Sequence, residues 1–535
     1  MNQQQPRCGL NVWQRLGALS VAFFMVACTA QDTRVTADGD LSLANRLFRD
    51  GYRDIIDIYI DEVQTSDLVL AGLDNLIELE PDISVYAQDG RITLKMDGQP
   101  IGNLTVPPDH DPAAWGDLTA SALRLARSRS TLIDAADPEE IYEIVFDGIL
   151  NELDKFSRYA GRDEARENRA SRDGFGGIGV RIRLIDEGVR VISVMENTPA
   201  ERAGLKDNDI ILEIDGESTL DLNQREVVRR LRGPLRSRVA LTIGREDAPA
   251  NLGIEVVRAH IVPQTVTYRR HDNAAIIQLT GFNQSTTRTL REKLIQANKE
   301  IGSDLSGFVL DLRGNPGGLL DQAVAVSDLF IGDGRIVSTH GRHPDSHQYF
   351  DAKSDDLAKQ RPVVVLVNGN SASAAEIVAA ALQDSGRAVV IGSGSFGKGT
   401  VQTVLRLPNE GELTLTWARF HAPSGYALNR RGVIPDICTT GTPDQTADDV
   451  LDRLIDGSLP IDRGIQHRDI DQNDEASIAA LRAYCPTRQN EAEIDIEVAL
   501  RLLERPDLFA RALGGPAPNT ALLNQGHSAN ASNSQ

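Results

Sequence analysis

The chain of 535 residues is too long for one hydrophobic core, so its length predicts roughly three or four domains. Its formal net charge of −21 argues against nucleic acid as a partner, because binding to phosphates requires a basic surface. The four cysteines are too few for a disulfide framework and include no Cys-x-x-Cys pair, and the nine histidines form no His-Glu-x-x-His motif. We therefore expect neither a metal site nor a cofactor.

Residues 1–28 have the pattern of a signal peptide. Two arginines precede an apolar run at 16–27, which is too short to span a bilayer and suits the apolar region of such a peptide. The run ends in Met-Val-Ala-Cys, which resembles a bacterial lipobox with Cys28 as the lipidated first residue of the mature protein. Cleavage by an ordinary signal peptidase near Ala27 or Ala30 is the alternative. We expect export to the periplasm and membrane attachment only through lipidated Cys28, because no other segment reaches about 18 apolar residues.

Residues 29–171 are predicted to be mostly helical, with a small insert of strands. Helical spacing of apolar residues recurs in three stretches: 41–83, about 113–132 and 138–153. Residues 84–108 alternate as strands do and are closed by two prolines. The stretch 160–174 is charged and poor in apolar residues, and we interpret it as a mobile connector.

A small β domain with two helices is predicted at residues 172–262. Strands are expected after the Gly-Gly-Ile-Gly turn at 176–179 and at three further places: 189–194, 209–216 and 239–243. Helical patterns lie at two places: 199–205 and about 223–231.

Residues 263–440 alternate strand and helix, so the whole chain is expected to be a multidomain α/β protein. Apolar runs indicate four strands: 275–279, 307–312, 363–367 and 388–391. Helical patterns lie near 285–300, 318–330 and 374–385. A helical C-terminal region is predicted at 441–513, with helices near 446–456, 475–483 and 491–504. Residues 514–535 are rich in Gly, Pro, Asn and Ser, and we expect a disordered tail.

Two segments of the α/β region carry candidate chemistry. Ser373 lies between a predicted buried strand and a helix, where backbone N–H groups at the helix N-terminus stabilise a developing oxyanion. Lys398 lies on a glycine-flanked loop directly after the next predicted strand. Lysine is a general base only when its amine is neutral, which requires burial to lower its pKa from about 10.4. An arginine would not suit this role, because it does not deprotonate in proteins.

These segments are specific enough to resemble a known family. Ser-Ala-Ser-Ala-Ala-Glu around Ser373, followed by Phe-Gly-Lys-Gly-Thr-Val-Gln around Lys398, is similar to the signature of the C-terminal processing (tail-specific) peptidases, serine peptidases of type S41. The resemblance implies that Ser373 is the nucleophile, that Lys398 is the general base, and that Gln402 holds the lysine. Ala375 departs from the pattern, since members often carry a third serine there, but it does not touch the dyad.

A second motif agrees independently. Asp-Leu-Arg-Gly-Asn-Pro-Gly-Gly at 311–318 resembles the strand-end motif of the same family. The resemblance implies that the N–H groups of Gly318 and Ala374 form the oxyanion hole, in a layered core of the ClpP/crotonase-like kind. Paired glycines at a strand-to-helix turn also suit an amide that faces a substrate closely.

The small β domain resembles the PDZ domain of this family. Phe-Gly-Gly-Ile-Gly-Val corresponds to the carboxylate-binding loop, so the resemblance implies that Gly177, Ile178, Gly179 and Val180 bind the substrate's C-terminus. Consecutive N–H groups near such a loop capture a terminal carboxylate, while the tail adds a strand to the sheet edge. The expected partners are protein substrates with free, apolar C-termini, with an adaptor protein as an open question.

Three alternative functions and one undecided cysteine pairing are compared with this interpretation. A nucleotide-binding P-loop matches Gly-x4-Gly-Lys up to Lys398, but Gly399 stands where a Mg²⁺-binding Ser or Thr is required. A triad based on His421 is less simple than a lysine base, because neither motif contains a histidine. A catalytically silent PDZ scaffold is opposed by the intact site residues. Cys438 and Cys485 either pair or stay free, and their spacing does not decide.

Overall fold

The structure is a computed structural model that describes residues 37–440, 445–458, 470–471 and 473–514. The predicted signal peptide, including Cys28, lies outside the described residues, and so does the predicted tail apart from Gly514. Within the described ranges, no helix is long and apolar enough to cross a membrane.

The N-terminal region is mostly helical and contains a three-stranded sheet, as predicted. Its elements are α1 (Ala37–Ile58), α2 (Thr65–Asp74), β1 (Ile83–Gln88), β2 (Arg91–Met96), β3 (Gln99–Thr105), α3 (Pro112–Arg127), α4 (Thr131–Ala135) and α5 (Pro138–Asn151). Helix α5 begins where the Asp137 side chain accepts a hydrogen bond of 2.9 Å from the N–H of Glu139. Phe48 of α1 stacks on Phe146 of α5, and their apolar core includes Leu413 of the α/β region. This shared core joins the two regions.

The segment after α5 is ordered, so the prediction of a mobile connector at 160–174 is wrong. It consists of two elements, β4 (Arg158–Ala160) and α6 (Arg162–Asp173). Arg169 and Arg172 of α6 form ion pairs of 3.0 and 2.8 Å with the buried Glu412. The charges that predicted a solvated segment neutralise a buried carboxylate 240 or more positions away, a contact that no local pattern reveals.

The small β domain contains the predicted strands and helices, together with strands that were not predicted. Its elements are β5 (Phe175–Gly177), β6 (Val180–Ile185), β7 (Gly188–Val194), α7 (Pro199–Arg202), β8 (Ile210–Ile214), β9 (Glu217–Ser218), α8 (Gln224–Leu231), β10 (Arg238–Gly244), β11 (Leu252–Val257) and β12 (Ala259–Ile261). The sheet order is β11-β10-β8-β7-β6, with β9 paired to β8, and β6 lies at one end. Strand β5 pairs with β12, so the chain enters and leaves the domain side by side.

The α/β region and the C-terminal region follow. Their elements are β13 (Val266–His271), β14 (Ala274–Leu279), α9 (Thr286–Ile301), β15 (Gly307–Asp311), α10 (Leu320–Asp328), β16 (Arg335–His340), β17 (Gln348–Asp351), β18 (Val363–Val367), α11 (Ala374–Asp384), β19 (Val389–Gly392), β20 (Thr400–Arg406), β21 (Glu412–His421), β22 (Ile437–Cys438), α12 (Ala447–Asp456), α13 (Glu475–Tyr484), α14 (Glu493–Leu503) and α15 (Pro506–Ala512). Single 3₁₀ turns occupy Asn75–Glu78, Gly302–Asp304 and Pro344–Ser346.

The main sheet has the order β13-β14-β15-β18-β19-β22 and is parallel except for β13. Alternate residues of each central strand face opposite layers. Val365 of β18 packs with α9, α10 and α11, whereas Val364 packs with α12, α14 and α15. Burial on both faces explains why the apolar runs of β14, β15, β18 and β19 were recognisable as strands.

A second sheet, of order β17-β16-β21-β20 with β4 paired to β21, was not predicted. Its pattern is obscured because polar residues such as Thr414 and Thr416 of β21 are buried by strand pairing and hydrogen bonds. This sheet matters for the site, since β20 begins two residues after Lys398.

The C-terminal region is attached to the main sheet by a disulfide. Cys438, at the end of β22, is bonded to Cys485, directly after α13, with a Cα–Cα distance of 5.7 Å. The structure thus pairs the two cysteines that the sequence left undecided. The predicted helices of this region are present as α12, α13 and α14, and α15 is an addition.

Candidate active site

Ser373 lies at the carboxyl edge of the main sheet, where the loops after β15, β18 and β19 meet. All residues of β18 are buried, and Ser373 follows this strand directly before the first residue of α11, Ala374. Its φ angle of 53° is in the left-handed region, which is uncommon for residues other than glycine. Such backbone geometry is kept only where the surroundings enforce it, and it occurs often at functional sites.

The neighbouring serine of the motif has a different environment. Ser371 is fully buried, accepts a hydrogen bond from the N–H of Asn368 and donates one to the carbonyl of Leu312, both 2.9 Å long. Ser373 is only half-buried. The structure therefore assigns loop support to Ser371 and leaves Ser373 as the accessible hydroxyl.

The glycine pair after β15 lies against this serine. A Cβ on Gly317 would come within 2.9 Å of the Ser373 Cβ and 3.0 Å of the Ala374 nitrogen, and one on Gly318 would come within 2.1 Å of the Phe282 carbonyl oxygen. Both positions therefore require glycine. Among the described residues, the N–H groups of Gly318 and Ala374 have no protein acceptor. An unpaired donor on the residue after the serine, and another on the glycine that follows Gly317, match what an oxyanion hole requires.

Lys398 lies on the loop between β19 and β20 and is largely buried. Burial lowers the pKa of its amine, and the cation of Arg158 lowers it further, whereas Asp154 and Glu376 oppose the shift. Its Nζ atom lies 4.8 Å from the centre of the Phe156 ring, and among the described residues it has no hydrogen-bond partner. The environment thus favours the neutral amine that a general base requires.

Glu376, which was not among the predicted site residues, connects the serine and lysine loops. Its buried carboxylate accepts hydrogen bonds from the N–H groups of Ser373 (2.9 Å), Gly397 (2.7 Å) and Lys398 (2.9 Å), and from the hydroxyl of Ser395. Burial raises the pKa of this carboxyl, while these donors act in the opposite direction. The Ser-x-x-Glu spacing of a capping box was the signal available in the sequence.

Gln402 of β20 lies near the lysine loop but makes other contacts. Its side-chain amide donates to Thr400 Oγ1 at 2.9 Å and to Thr416 Oγ1 at 3.2 Å, and Thr416 donates onward to Asp154 at 3.1 Å. Among the described residues, no hydrogen bond joins Gln402 to Lys398. Its role as the residue that holds the lysine stays a prediction.

The C-terminal region supports the loop before Ser373, a contact that was not predicted. The N–H of Gly369 donates to the Arg488 carbonyl at 2.8 Å, and the side chain of Asn368 donates to the Gln489 carbonyl at 2.8 Å. These carbonyls lie just after Cys485 of the disulfide. The bond therefore anchors the segment that holds the serine loop.

Two alternatives find no support in this geometry. The loop that ends at Lys398 leads into strand β20, whereas a P-loop leads into a helix. His421 packs against His340, with 4.8 Å between the ring centres, and burial lowers its pKa. Among the described residues, no hydrogen bond joins it to Ser373.

The predicted tail-binding residues form the turn between β5 and β6. Gly177 ends β5, and Val180 begins β6. Ile178 is buried in the domain core and its carbonyl accepts from Ala200, while Gly179 has a φ of 87°. In the described part of the chain, the N–H groups of Ile178 and Gly179 have no protein acceptor. Free amides beside an edge strand are suited to a terminal carboxylate.

The fold and this site define a serine-type peptidase that carries a PDZ domain. The family model of peptidase family S41 matches residues 273–439, and a PDZ-domain model matches residues 190–245. A carboxy-terminal-processing protease of Bartonella bacilliformis is 41% identical over 327 residues, which are 61% of this chain and 74% of that protein. The carboxy-terminal processing protease CtpA of Bacillus subtilis is 32% identical over 330 residues, covering 61% of this chain and 70% of the relative.

Among solved structures, the photosystem II D1 C-terminal processing protease shares 23% identity with this chain and covers 74% of it, with 92% of its own length aligned and a TM-score of 0.37. From its sequence relatives, the chain belongs to the C-terminal processing peptidases of family S41. It is a serine-type peptidase, and its substrates are proteins bound at their C-termini.

Proposed function

We propose that Ser373 and Lys398 form the catalytic dyad of this peptidase. Ser373 Oγ attacks the carbonyl carbon of the scissile peptide bond, and its proton passes to the neutral Nζ of Lys398. The resulting oxyanion accepts hydrogen bonds from the N–H groups of Gly318 and Ala374. Nζ then gives the proton to the leaving amine, and the peptide bond breaks to leave an ester on Ser373. Water hydrolyses this ester with Nζ again as the base.

The observation that carries the proposal is the bond pattern of Glu376, because one buried carboxylate accepts the N–H groups of both Ser373 and Lys398. In the present geometry, Nζ lies over the Phe156 ring. Among the described residues, no hydrogen bond joins Ser373 to Lys398, so proton transfer requires rotation within the flexible four-carbon side chain of the lysine. When Nζ moves away from the Phe156 ring, the cation–π attraction is lost only if the amine is charged.

We propose further that the turn at Gly177, Ile178, Gly179 and Val180 holds the terminal carboxylate, and that the tail adds a strand to β6. The free amides of this turn and the position of β6 at the end of its sheet support this proposal. An apolar terminal side chain suits the apolar residues of β6 that pack on the domain core.

The natural substrates are proposed to be exported proteins, and this enzyme to be a periplasmic lipoprotein anchored through Cys28. The pairing of Cys438 with Cys485 supports an oxidising compartment, since disulfides persist there and are rare in the cytosol. Labelling with a radioactive fatty acid tests the anchor. We expect label in the wild type and none in Cys28→Ser, which should move to the soluble periplasmic fraction. Absence of label in the wild type would contradict lipidation.

The dyad is tested with purified protein and an unfolded substrate that has an apolar C-terminus. We expect cleavage by the wild type and none by Ser373→Ala. The matched control is Ser303→Ala, which removes an exposed hydroxyl far along the chain from the site and should cleave normally. Cleavage by Ser373→Ala would refute the dyad. Tail binding without any cleavage by the wild type would favour the silent scaffold.

A further inference from the structure

Strand β6 of the PDZ domain has one free edge, and its side chains divide into two distinct faces. It pairs with β7 on one side and ends the sheet on the other. Val180 and Ile182 pack against the domain core, whereas the alternate residues Arg181 and Arg183 are exposed. The side chains of any strand added to this edge would therefore lie beside apolar residues on one face of the sheet and beside arginines on the other.

Within the part of the chain that the structure describes, no ion pair neutralises the arginines of β6. Arg183 lies directly opposite Arg190 of β7, so two like charges are cross-strand neighbours. Among the described residues, neither these two arginines nor Arg181 forms an ion pair. Elsewhere in the same domain exposed arginines do have partners, as Arg238 has in Glu255. The chain as a whole has a net charge of −21, so a cluster of unpaired arginines at a free strand edge stands out from its surroundings. Such a cluster favours the binding of an anionic group.

We infer that this edge selects substrate tails that carry acidic side chains at the second and fourth positions from the C-terminus. The inference deepens the proposed function and rests on it. If the terminal side chain faces the apolar side of β6, strand alternation turns the second and fourth toward Arg181 and Arg183. Cross-strand neighbours lie about 5 Å apart, so carboxylates there reach the guanidinium groups.

A plainer role for these arginines is to keep two copies of the edge strand from pairing, since charges on edges often do so. That role needs no particular position of acidic residues in a substrate. Position dependence is therefore the property that separates selection from edge protection.

The experiment measures the Kd of labelled peptides for full-length Ser373→Ala protein by fluorescence anisotropy. The peptides share one apolar C-terminus and carry Glu, Gln or Lys at the second and fourth positions from the end. A fourth peptide carries Glu at the third and fifth positions, and a fifth is the first peptide with an amidated end. We expect the Glu peptide to bind about fivefold more tightly than the Gln peptide, with Lys weakest and the out-of-phase Glu peptide close to Gln.

Arg181→Gln combined with Arg183→Gln should abolish the preference for Glu. The control Arg238→Gln, on a strand separated from β6 by β8 and β7, should keep it. Raising the salt concentration should shrink the preference in the wild type.

Equal binding of the Glu, Gln and Lys peptides, with weaker binding of the amidated one, would overturn the inference and leave tail binding intact. An equal gain from in-phase and out-of-phase Glu would also overturn it. Equal binding of free and amidated peptides would overturn both this inference and the proposed tail site.

Discussion

The peptidase core and the PDZ domain hold their charged groups in opposite ways. In the core, Glu376 is fully buried and its two carboxylate oxygens together accept hydrogen bonds from the loops that carry Ser373 and Lys398. On the PDZ edge, Arg181 and Arg183 are exposed. Removing a buried partner leaves unsatisfied polar groups and disturbs geometry, whereas removing an exposed charge alters only a screened attraction. We therefore expect substitutions in the core to cause large losses of turnover, and changes at the PDZ domain to cause modest changes of substrate preference.

The largest effect is expected from Lys398→Arg. The arginine keeps a cation but cannot accept the serine proton, so kcat/KM should fall by at least about 10²-fold while the fold is retained. Lys299→Arg, an exposed substitution on α9, serves as the control and should cleave normally. Rates from peptide cleavage and a circular dichroism spectrum provide the measurement. Near wild-type turnover in Lys398→Arg would remove the lysine from the mechanism.

Glu376→Gln tests whether the buried carboxylate positions the dyad. Both carboxylate oxygens accept backbone N–H groups. The NH₂ of a glutamine would therefore face an N–H donor of one loop, and this repulsion should push the loops apart. We expect kcat to fall roughly 30-fold with KM little changed, since small misplacements of reacting groups have effects of that order. Glu300→Gln is the exposed control on α9. A wild-type kcat in Glu376→Gln would assign this carboxylate to folding alone.

Elements that are determined by nearby residues were predictable from the sequence, whereas elements that depend on distant contacts were not. The strand β18 and helix α11 were predictable because their apolar residues are continuous or helically spaced. All of β18 and all but the last two residues of α11 are buried. The candidate residues Ser373 and Lys398 were recognisable because short motifs carry them. Helix α6 and the second sheet were missed because their polar residues are satisfied by distant partners such as Glu412. The link from Arg488 to the serine loop is equally long-range.

The third effect concerns the disulfide that anchors the segment beside the serine loop. Cys438→Ser with Cys485→Ser should lower the free energy of unfolding of this region by about 2–4 kcal/mol, because the bond closes a long loop. Loss of the anchored carbonyls beside Asn368 should also reduce kcat several-fold. Calorimetry and cleavage assays are compared with and without reductant. Reduced wild type should match the double variant, and an unchanged Tm after complete reduction would contradict the anchoring role.

A smaller effect is expected on the PDZ side of the comparison. Amidating the substrate's C-terminus removes the charge held by the turn at Ile178 and Gly179, and an Asp at the last position alone places a carboxylate against the apolar side of β6. Each change should lower kcat/KM several-fold and leave kcat at saturating substrate nearly unchanged. Matched peptides with free, amidated and acidic ends provide the comparison. Equal values for all three would mean that the PDZ domain does not select substrates.

The smallest effect is expected from Arg158 of β4, an exposed charge that acts on a buried one. This side chain is exposed, yet its cation helps to lower the pKa of the buried Lys398 amine, after burial itself. The enzyme needs that amine neutral, so kcat/KM should rise with pH and level off above the Lys398 pKa. Arg158→Gln removes one cation, which raises the lysine pKa and moves the acidic limb of the profile to higher pH.

Below the plateau of the pH profile, we expect the activity of Arg158→Gln to be about threefold lower than that of the wild type, with equal activity at high pH. The difference should be smaller at high salt, because an exposed charge is screened. Arg166→Gln, an exposed arginine of α6, is the control and should leave the profile in place. A uniform loss at every pH would instead indicate a structural defect, and an unshifted profile would show that burial alone sets the lysine pKa.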